Sequence, residues 1–238
     1  MKTTLVIAWK EIKTYFTTPM AYIVAMVFLA LTGYYFITDL LGSVLPEASI
    51  AGFVIPSASI LVLLAPLMTM RLIAEEQKLG TLELLMTSPI RDWQVVTGKF
   101  IASLVFFLGT LAFTLYYVLL VAWFGDPDFG PVLTSYLGLI LYGAATLSIG
   151  LFASSLSPNQ IVSAVLGFGI LLILTVIQLA SRYISGTAAT IVTQVSMQSH
   201  FQDFSRGIID TSSVIYYLTV IVVFLFLAIR SLESHRWR

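Results

Sequence analysis

Long apolar runs without a charged side chain alternate with short charged segments along this sequence. Four of these runs, residues 20–37, 48–70, 100–125 and 211–229, contain no Asp, Glu, Lys or Arg. Each is close to the ~20 residues that an α-helix needs to cross a bilayer. The pattern therefore predicts a membrane-spanning helix in each of the four.

A fifth run, residues 129–181, is too long for a single span. It contains no charged residue, yet one helix of this length would measure about 80 Å at ~1.5 Å per residue, against a hydrocarbon core of ~30 Å. The sequence SSLSPNQ at 154–160 supplies a break. Small polar residues end one helix there, and Ser157 followed by Pro158 suits the N-cap and first turn of the next. The run is predicted to fold back as two spans.

Composition agrees with a membrane protein. The 238 residues are 58% hydrophobic and 10% charged, and the mean hydropathy of +0.97 lies outside the range of ordinary soluble domains. We therefore predict an all-α integral membrane protein, with residues 1–238 as a single transmembrane domain. Its six spans are expected at about 20–37, 50–70, 100–124, 132–153, 160–181 and 213–230.

The basic residues predict the orientation of the six spans. Of the 12 lysines and arginines, all but Arg182 and Arg206 lie in the two terminal segments or in the 71–99 loop. Positive residues that flank a span tend to remain in the cytoplasm. Both termini and the 71–99 loop are therefore predicted to be cytoplasmic.

The first residues predict an amphipathic helix that lies along the membrane interface, at about residues 3–17. The alternative is a membrane-proximal tail whose basic residues only fix the orientation. On a helical wheel Lys10 and Thr14 face one side. The other side gathers the apolar and aromatic residues Leu5, Ala8, Trp9, Ile12, Tyr15 and Phe16.

Several classes of function are disfavoured. The predicted spans contain no Asp, Glu, Lys or His, and their one charged residue is Arg230, at the last position of the sixth span. This argues against an intramembrane enzyme and a proton-coupled transporter. The two histidines, His200 and His235, lie on opposite predicted sides and cannot share a metal. The chain has no cysteine and a net charge of zero, so neither a thiolate metal site nor a nucleic-acid partner is predicted.

A phosphate-binding loop is also absent. The segment VTGKF carries a Gly-Lys pair, but the P-loop pattern requires glycine where Trp93 stands and Ser or Thr where Phe100 stands. Any nucleotide energy must therefore come from another polypeptide.

The 71–100 loop concentrates charge around a short apolar helix. Arg71 and Glu75 are one helical turn apart, and Gly80 is predicted to break the helix that carries them. Thr81 then caps the segment LELLM, whose apolar side chains share one face. We interpret this as an apolar surface for a partner, because exposed apolar area costs ~25 cal/mol per Å². The alternative is a solvated connector.

The external segment 182–211 contains signals for a further helix. Ser199 and Gln202 have capping-box spacing, and Phe201, Phe204 and Ile208 form an apolar stripe. Two roles are open for this helix. It would either cover the outer end of a path through the membrane or only pack at the membrane interface.

The segment MTMRLIAEEQKLGTLELLMTSPIRDWQVVTGKF, residues 68–100, resembles the first cytoplasmic loop of ABC-2 type permeases, the membrane subunits of one class of ABC transporters. The shared pattern is Glu-Glu, Gly-Thr-Leu-Glu-Leu-Leu, Pro and Gly-Lys. More narrowly, AYIVAMVFLAL, GLFASSLSPNQIVSA and SHFQDFSRGIIDTSSVIYYL are similar to gliding-motility-type permeases and to the permease of the nitrous-oxide-reductase maturation transporter. The similarity covers nearly the whole chain.

The resemblance assigns roles to three groups of residues. A coupling helix would dock into a groove of a separate ATPase and would be braced by the residues before it; the residues are Arg71, Glu75, Glu76, Gly80, Thr81, Leu82, Glu83, Leu84, Leu85 and Pro89. A second cytoplasmic contact, with a plain helix hairpin as the alternative, would use Ser155, Leu156, Ser157 and Pro158. An external gate would use Phe201, Phe204, Gly207, Ile208 and Asp210.

The resemblance implies a permease half-transporter of exporter type in the plasma (inner) membrane of a bacterium. It would have no catalytic residue or cofactor of its own, and would pair with a second permease, identical or related, and with two cytoplasmic ATPase subunits that bind ATP and magnesium. Spans free of charge favour lipid-linked, polymeric or amphipathic cargo. A non-transporting anchor or assembly subunit is the leading alternative, and an ion channel is weaker because no ring of charge marks a pore.

Overall fold

A computed structural model describes most of the chain. The described residues are 2–42, 51–82, 90–125, 128–180 and 186–235. Within these ranges the structure is helical and contains no β-strand, and six helical stretches are long and apolar enough to cross a membrane. The predicted all-α architecture with six spans is confirmed.

The helices of the described residues are numbered here in chain order. The first four are α1 (Lys2–Thr17), α2 (Pro19–Gly42), α3 (Ala51–Thr69) and α4 (Ala74–Lys78). The next four are α5 (Asp92–Phe113), α6 (Leu115–Phe124), α7 (Phe129–Ser155) and α8 (Gln160–Ala180). The last three are α9 (Thr187–Val195), α10 (Met197–Ser205) and α11 (Thr211–His235).

Helix α7 forms the centre of the bundle and packs against α3, α8, α10 and α11. Small residues along α7 allow this close approach, as is usual between helices in a membrane. A β-carbon on Gly143 would overlap the ring of Phe107 in α5, and one on Gly150 would overlap the hydroxyl of Thr69 in α3. The fit at these glycines fixes how α3 and α5 sit against α7.

The long apolar run folds back where the sequence predicted, between α7 and α8. The predicted N-cap at Ser157 is wrong, because Asn159 caps α8. Its Oδ1 atom accepts a hydrogen bond from the backbone N–H of Ile161 at 2.9 Å, while Ser157 Oγ accepts one from the N–H of Asn159. An Asn side chain directly before the helix reaches the free N–H groups better than a serine two positions earlier.

The third span differs from a single straight helix. It begins at Asp92, earlier than predicted, and α5 ends at a turn around Thr114, after which α6 continues. The hydroxyl of Thr114 donates to the carbonyl of Leu111 at 2.6 Å and lies 3.0 Å from the hydroxyl of Tyr136 in α7. These side-chain bonds compete with the helical ladder at the interruption.

The segment before the last span folds into α9 and α10. The predicted capping box is wrong, because α10 begins at Met197, two residues before Ser199, and the Ser199 hydroxyl bonds to the carbonyls of Thr193 and Ser196. Helix α10 packs against α7, α8 and α3. It therefore enters the bundle at the end where α7 begins.

Candidate coupling site

Helix α1 packs along α5. The end of the bundle that includes α1, α4 and the α7–α8 turn is called here the terminal end. The side chains of the predicted apolar face of α1 differ in burial, and Glu11, which is not part of that face, is buried as well. Ala8 and the carboxylate-bearing Glu11 are buried against the protein, whereas Leu5, Trp9 and Phe16 are exposed. Exposed apolar and aromatic side chains on such a helix suit the membrane interface. Helix α1 thus contacts protein on one side and leaves an apolar side free for lipid.

Tyr15 anchors the end of α1. Its ring stacks on Phe106 of α5 with centroids 4.9 Å apart, and its hydroxyl donates a hydrogen bond of 2.7 Å to the carbonyl of Met68 in α3. Burial raises the pKa of Tyr15 well above its ordinary value, and the nearby Glu11 carboxylate acts in the same direction. The phenol therefore remains a hydrogen-bond donor at any physiological pH.

A buried ion cluster joins α1, α4 and α5. The Nζ atom of Lys99 lies 2.9 Å from Oε1 of Glu11 and 2.9 Å from Oε1 of Glu76. Lys10 lies at the rim of the cluster, 3.7 Å from Glu11 and 3.6 Å from Glu76. The four side chains, Lys99, Glu11, Glu76 and Lys10, are called here the ion cluster.

The ion cluster is largely removed from solvent. The side chain of Lys99 is 1% exposed and those of Glu11 and Glu76 are 10% and 16% exposed. A buried charge without a partner costs several kcal/mol, so each of these groups depends on the others. Oε2 of Glu76 is buried without a hydrogen-bond partner among the described residues.

Sequence reasoning did not find this cluster. It assigned Lys10 and Lys99 to orientation and Glu76 to bracing of the loop, and it made no use of Glu11. The sequence signal that could have indicated burial of Glu11 is its helical spacing from Thr4 and Ala8. Both of these residues are buried in the structure.

The segment leading to the predicted coupling helix is held by local bonds. The guanidinium of Arg71 contacts Glu75 through Nε at 3.1 Å and Nη2 at 3.2 Å. Gly80 has a φ of 68°, a left-handed conformation that favours glycine, directly after α4. The predicted break at Gly80 is thus present.

Beyond Gly80 the structure describes only Thr81 and Leu82 of the predicted coupling helix. Leu82 is 5% exposed and packs inward, whereas Leu79 is 66% exposed. Sequence reasoning grouped Leu82 with the apolar side chains that face a partner, so its burial within this chain differs from that expectation. Glu83, Leu84, Leu85 and Pro89 lie outside the described residues.

The α7–α8 turn is bonded to the same region. Ser154 Oγ accepts hydrogen bonds from the backbone N–H groups of Ile73 and Ala74 and donates one to the carbonyl of Met70. The carbonyl of Ser155 accepts from Gln77 in α4 and from Ser231 in α11, both at 3.1 Å. The turn therefore ties α3, α4 and α11 together.

Not all residues of the predicted second contact are accessible. Ser155 is buried, while Leu156 and Pro158 are exposed and Ser157 is half-buried. Only the tip of this turn presents side chains away from the protein.

The predicted external gate separates into buried and exposed parts. Phe201 and Phe204 of α10 are fully buried, and the Phe201 ring contacts Tyr142 of α7 edge to face, with centroids 5.4 Å apart. Ile208 is 55% exposed and is not part of this stripe. The reason is that α10 ends at Ser205 and Gly207, with a φ of 86°, reverses the chain.

Two tyrosines of α11 hold α9 and α10 in place. Tyr217 donates to the carbonyl of Met197 at 2.7 Å, and Tyr216 donates to the carbonyl of Val195 at 2.6 Å. Asp210 accepts a hydrogen bond from the N–H of Ser212 at the start of α11, where a carboxylate is favourable. In this structure Asp210 therefore acts as a helix cap.

Comparison with known proteins identifies the family. The sequence model described as ABC-2 family transporter protein matches residues 5–237, nearly the whole chain. The chain belongs to the ABC-2 family. As a permease subunit of this family it is a multi-pass membrane protein, consistent with its six membrane-crossing helices. The narrower resemblance to gliding-motility or nitrous-oxide-reductase maturation permeases stays a prediction.

Two named relatives match part of this ABC-2 chain. They are the probable multidrug ABC transporter permease YbhR of Escherichia coli strain K12 and that of Escherichia coli O157:H7, each 29% identical over 117 residues. The match covers 48% of this chain and 31% of each relative. The matched part therefore spans about a third of the length of these curated relatives.

Proposed function

We propose that this chain is one membrane half of an exporter-type ABC transporter in a bacterial plasma membrane, coupled to separate cytoplasmic ATPase subunits. The observation that carries the proposal is the ion cluster. Through Lys99, Glu11 and Glu76 it links the interfacial helix, the start of the predicted coupling segment and the third span. Membership of the ABC-2 family supports a cytoplasmic ATPase partner.

The proposed coupling is mechanical. Separating the charges of a buried ion pair costs several kcal/mol, so α1, α4 and the first turns of α5 move as one body. Closure of the ATPase subunits on ATP and magnesium would displace residues 80–85, and this body would carry the displacement into the third span. Arg71, in the connection between α3 and α4, forms an ion pair with Glu75 of α4.

The α7–α8 turn would be a second point of contact in the same scheme. Its exposed tip, Leu156 and Pro158, lies beside residues whose bonds reach α3, α4 and α11. Displacement of this tip would therefore move the same helices, α3 and α4, as displacement of the predicted coupling helix. Both termini are placed in the cytoplasm in this proposal, as the distribution of basic residues predicts.

The proposed cargo is amphipathic. The run from 129 to 181, which forms α7 and α8, has no charged side chain, and a small ion would need polar or charged groups along its path. The relatives carry multidrug in their names, which supports the same class of cargo. Two permease halves, identical or related, would enclose the path, with α10 at its outer end.

A non-transporting membrane anchor is the alternative function. It would use the same loop to hold an ATPase but would show no ATPase stimulation by a transported compound. Purified complex in proteoliposomes distinguishes the two, because only a transporter couples turnover to uptake of an amphipathic dye.

The coupling proposal is tested by Leu84→Asp in the chain co-expressed with its ABC ATPase. A charge inserted at a desolvated contact costs a few kcal/mol, about a hundredfold in affinity. We expect ATPase co-purification or dye-stimulated turnover to fall while the permease still inserts. Leu119→Val, at a side chain 67% exposed on α6, is the control and should change neither. Full binding and turnover in Leu84→Asp would make the loop a solvated connector.

A further inference from the structure

A cavity of about 210 Å³ lies between α1, α2, α3 and α5 at the terminal end of the bundle. An apolar cavity of ~150 Å³ is sufficient to hold benzene, so this one accepts a group of substantial size. Its wall is apolar at Ala21, Val24, Leu67 and Phe106, and it contains Glu11, Thr14, Arg71 and Glu75 as polar residues. A cavity of this composition fits an amphiphile, with separate places for an apolar and a charged part.

The cavity lies beside the start of the first span, where the membrane interface is expected. It includes Thr18 and Met20, at the junction where α1 ends and the first span begins. Exposed aromatic residues surround this junction: Phe16 is 53% exposed and Tyr22 is 55% exposed. Aromatic side chains gather at the depth of lipid head groups, so the bilayer itself supplies a ligand of the right kind at this position.

The charges of the cavity balance one another. Glu11 is neutralised by Lys99 at 2.9 Å and Glu75 by Arg71 at 3.1 Å. A ligand with a single net charge would therefore bring an uncompensated charge into a partly desolvated place. A zwitterion brings one charge of each sign and avoids this cost.

Arg71 and Glu75 match the two charges of such a ligand. Both side chains are more than one-third exposed, and exposed ion pairs contribute little to stability, so a ligand can exchange with the pair. Glu75 uses two of the five guanidinium N–H donors of Arg71. The remaining donors suit a phosphate oxygen, and the Glu75 carboxylate suits a primary ammonium.

We propose that this cavity binds the phosphoethanolamine head group of a membrane phospholipid, with phosphate on Arg71, ammonium on Glu75 and the first part of an acyl chain along Val24, Leu67 and Phe106. Quaternary ammonium lipids lack the N–H groups that Glu75 accepts, and phosphatidylglycerol lacks the cation. The lipid then stands beside the ion cluster, because Glu11 belongs to both. The site does not require the coupling role proposed above.

The test measures bound lipid by native mass spectrometry of the purified full chain in detergent, titrated separately with phosphatidylethanolamine, phosphatidylcholine and phosphatidylglycerol. We expect phosphatidylethanolamine to bind about tenfold more tightly than the other two, the size of one lost charge-assisted hydrogen bond. Ala21→Trp fills the cavity and should reduce this binding to the level of the other lipids. Ala21→Leu, a smaller change, should reduce it in part.

Gly169→Leu is the matched control, because a β-carbon at Gly169 in α8 meets no atom within 4 Å; it should leave lipid binding unchanged. All variants are compared only where they elute as the same monodisperse species as the wild type. Equal binding of the three lipids, or undiminished phosphatidylethanolamine binding in both Ala21 variants, would overturn the proposal. The proposal would also be overturned if an amphipathic cation with a single charge displaced bound phosphatidylethanolamine more effectively than a zwitterionic lipid does.

Discussion

The Nζ atom of Lys99 lies 2.9 Å from Oε1 of Glu11, although 88 residues separate them in the sequence. This contact places the first turns of the third span against α1. Because Lys99 also contacts Glu76 at the same distance, one ammonium group holds two elements that precede it in the chain. The position of the start of the predicted coupling segment therefore depends on α1.

Lys99→Met removes the central charge of the ion cluster. We expect the variant to lose about 3–5 kcal/mol of stability, since Glu11 and Glu76 are then left buried without their main partner. Thermal unfolding in detergent, followed by tryptophan fluorescence, measures this loss. Adding Glu11→Gln and Glu76→Gln to the same chain should recover a large part of it, because the buried negative charges are gone.

The control for Lys99→Met is Arg230→Met. Arg230 pairs with Glu233 at 2.7 Å, but its side chain is 63% exposed, and an exposed pair contributes about 0–1 kcal/mol. Equal effects of Lys99→Met and Arg230→Met would show that the ion cluster does not hold α1, α4 and α5 together.

Ser154→Ala tests the bond between the α7–α8 turn and the segment after α3. The lost hydroxyl leaves the buried N–H groups of Ile73 and Ala74 without their acceptor, at about 1–3 kcal/mol. Ser148→Ala is the control, since the Ser148 hydroxyl donates to the carbonyl of Ala145 in its own helix. Thermal unfolding should separate the two variants, and a Ser154→Ala variant as stable as Ser148→Ala would contradict the assignment.

The spans could be predicted because a bilayer imposes one strong requirement on sequence. Charge-free runs near the length of a membrane crossing coincide with the long helices, and the fold-back between α7 and α8 follows from helix length alone. The residue that caps a helix is harder to predict than the span itself. Ser157 and Asn159 are both good capping residues, and the geometry of the turn decides for Asn159.

The ion cluster and the faces of α1 could not be predicted in the same way. Hydrophobicity does not distinguish lipid from protein, so Ala8, which is buried, and Trp9, which is 60% exposed, belong to one apolar face on a helical wheel. The pairing of Glu11 with Lys99 depends on how α1 and α5 pack, which no local pattern contains. Ile208 falls in the predicted stripe of Phe204 because the apolar pattern does not show that α10 ends at Ser205, before the chain reverses at Gly207.

Phe204→Asp tests the packing of α10 in the bundle. Phe204 is fully buried, and a β-carbon added to Gly138 of α7 would lie 2.6 Å from the β-carbon of Phe204. A buried unpaired carboxylate costs several kcal/mol, so we expect lower thermal stability together with lower dye-stimulated ATPase activity. Ile208→Asp places the same charge at a side chain that is 55% exposed and should be tolerated. Equal tolerance of both would favour a helix that only lies at the interface.

Single cysteines test the orientation, because the natural sequence contains none. Gly130→Cys, at the exposed start of α7, should react in intact cells with a thiol reagent that cannot cross the membrane. Leu79→Cys, at a side chain that is 66% exposed after α4, should react only after the cells are opened, since the surrounding basic residues favour the cytoplasm. Ser234→Cys near the end of α11 should behave like Leu79→Cys, because six spans return the chain to its starting side. Labelling of Leu79→Cys in intact cells, with Gly130→Cys protected, would invert the topology and would remove residues 80–85 from reach of any cytoplasmic ATPase.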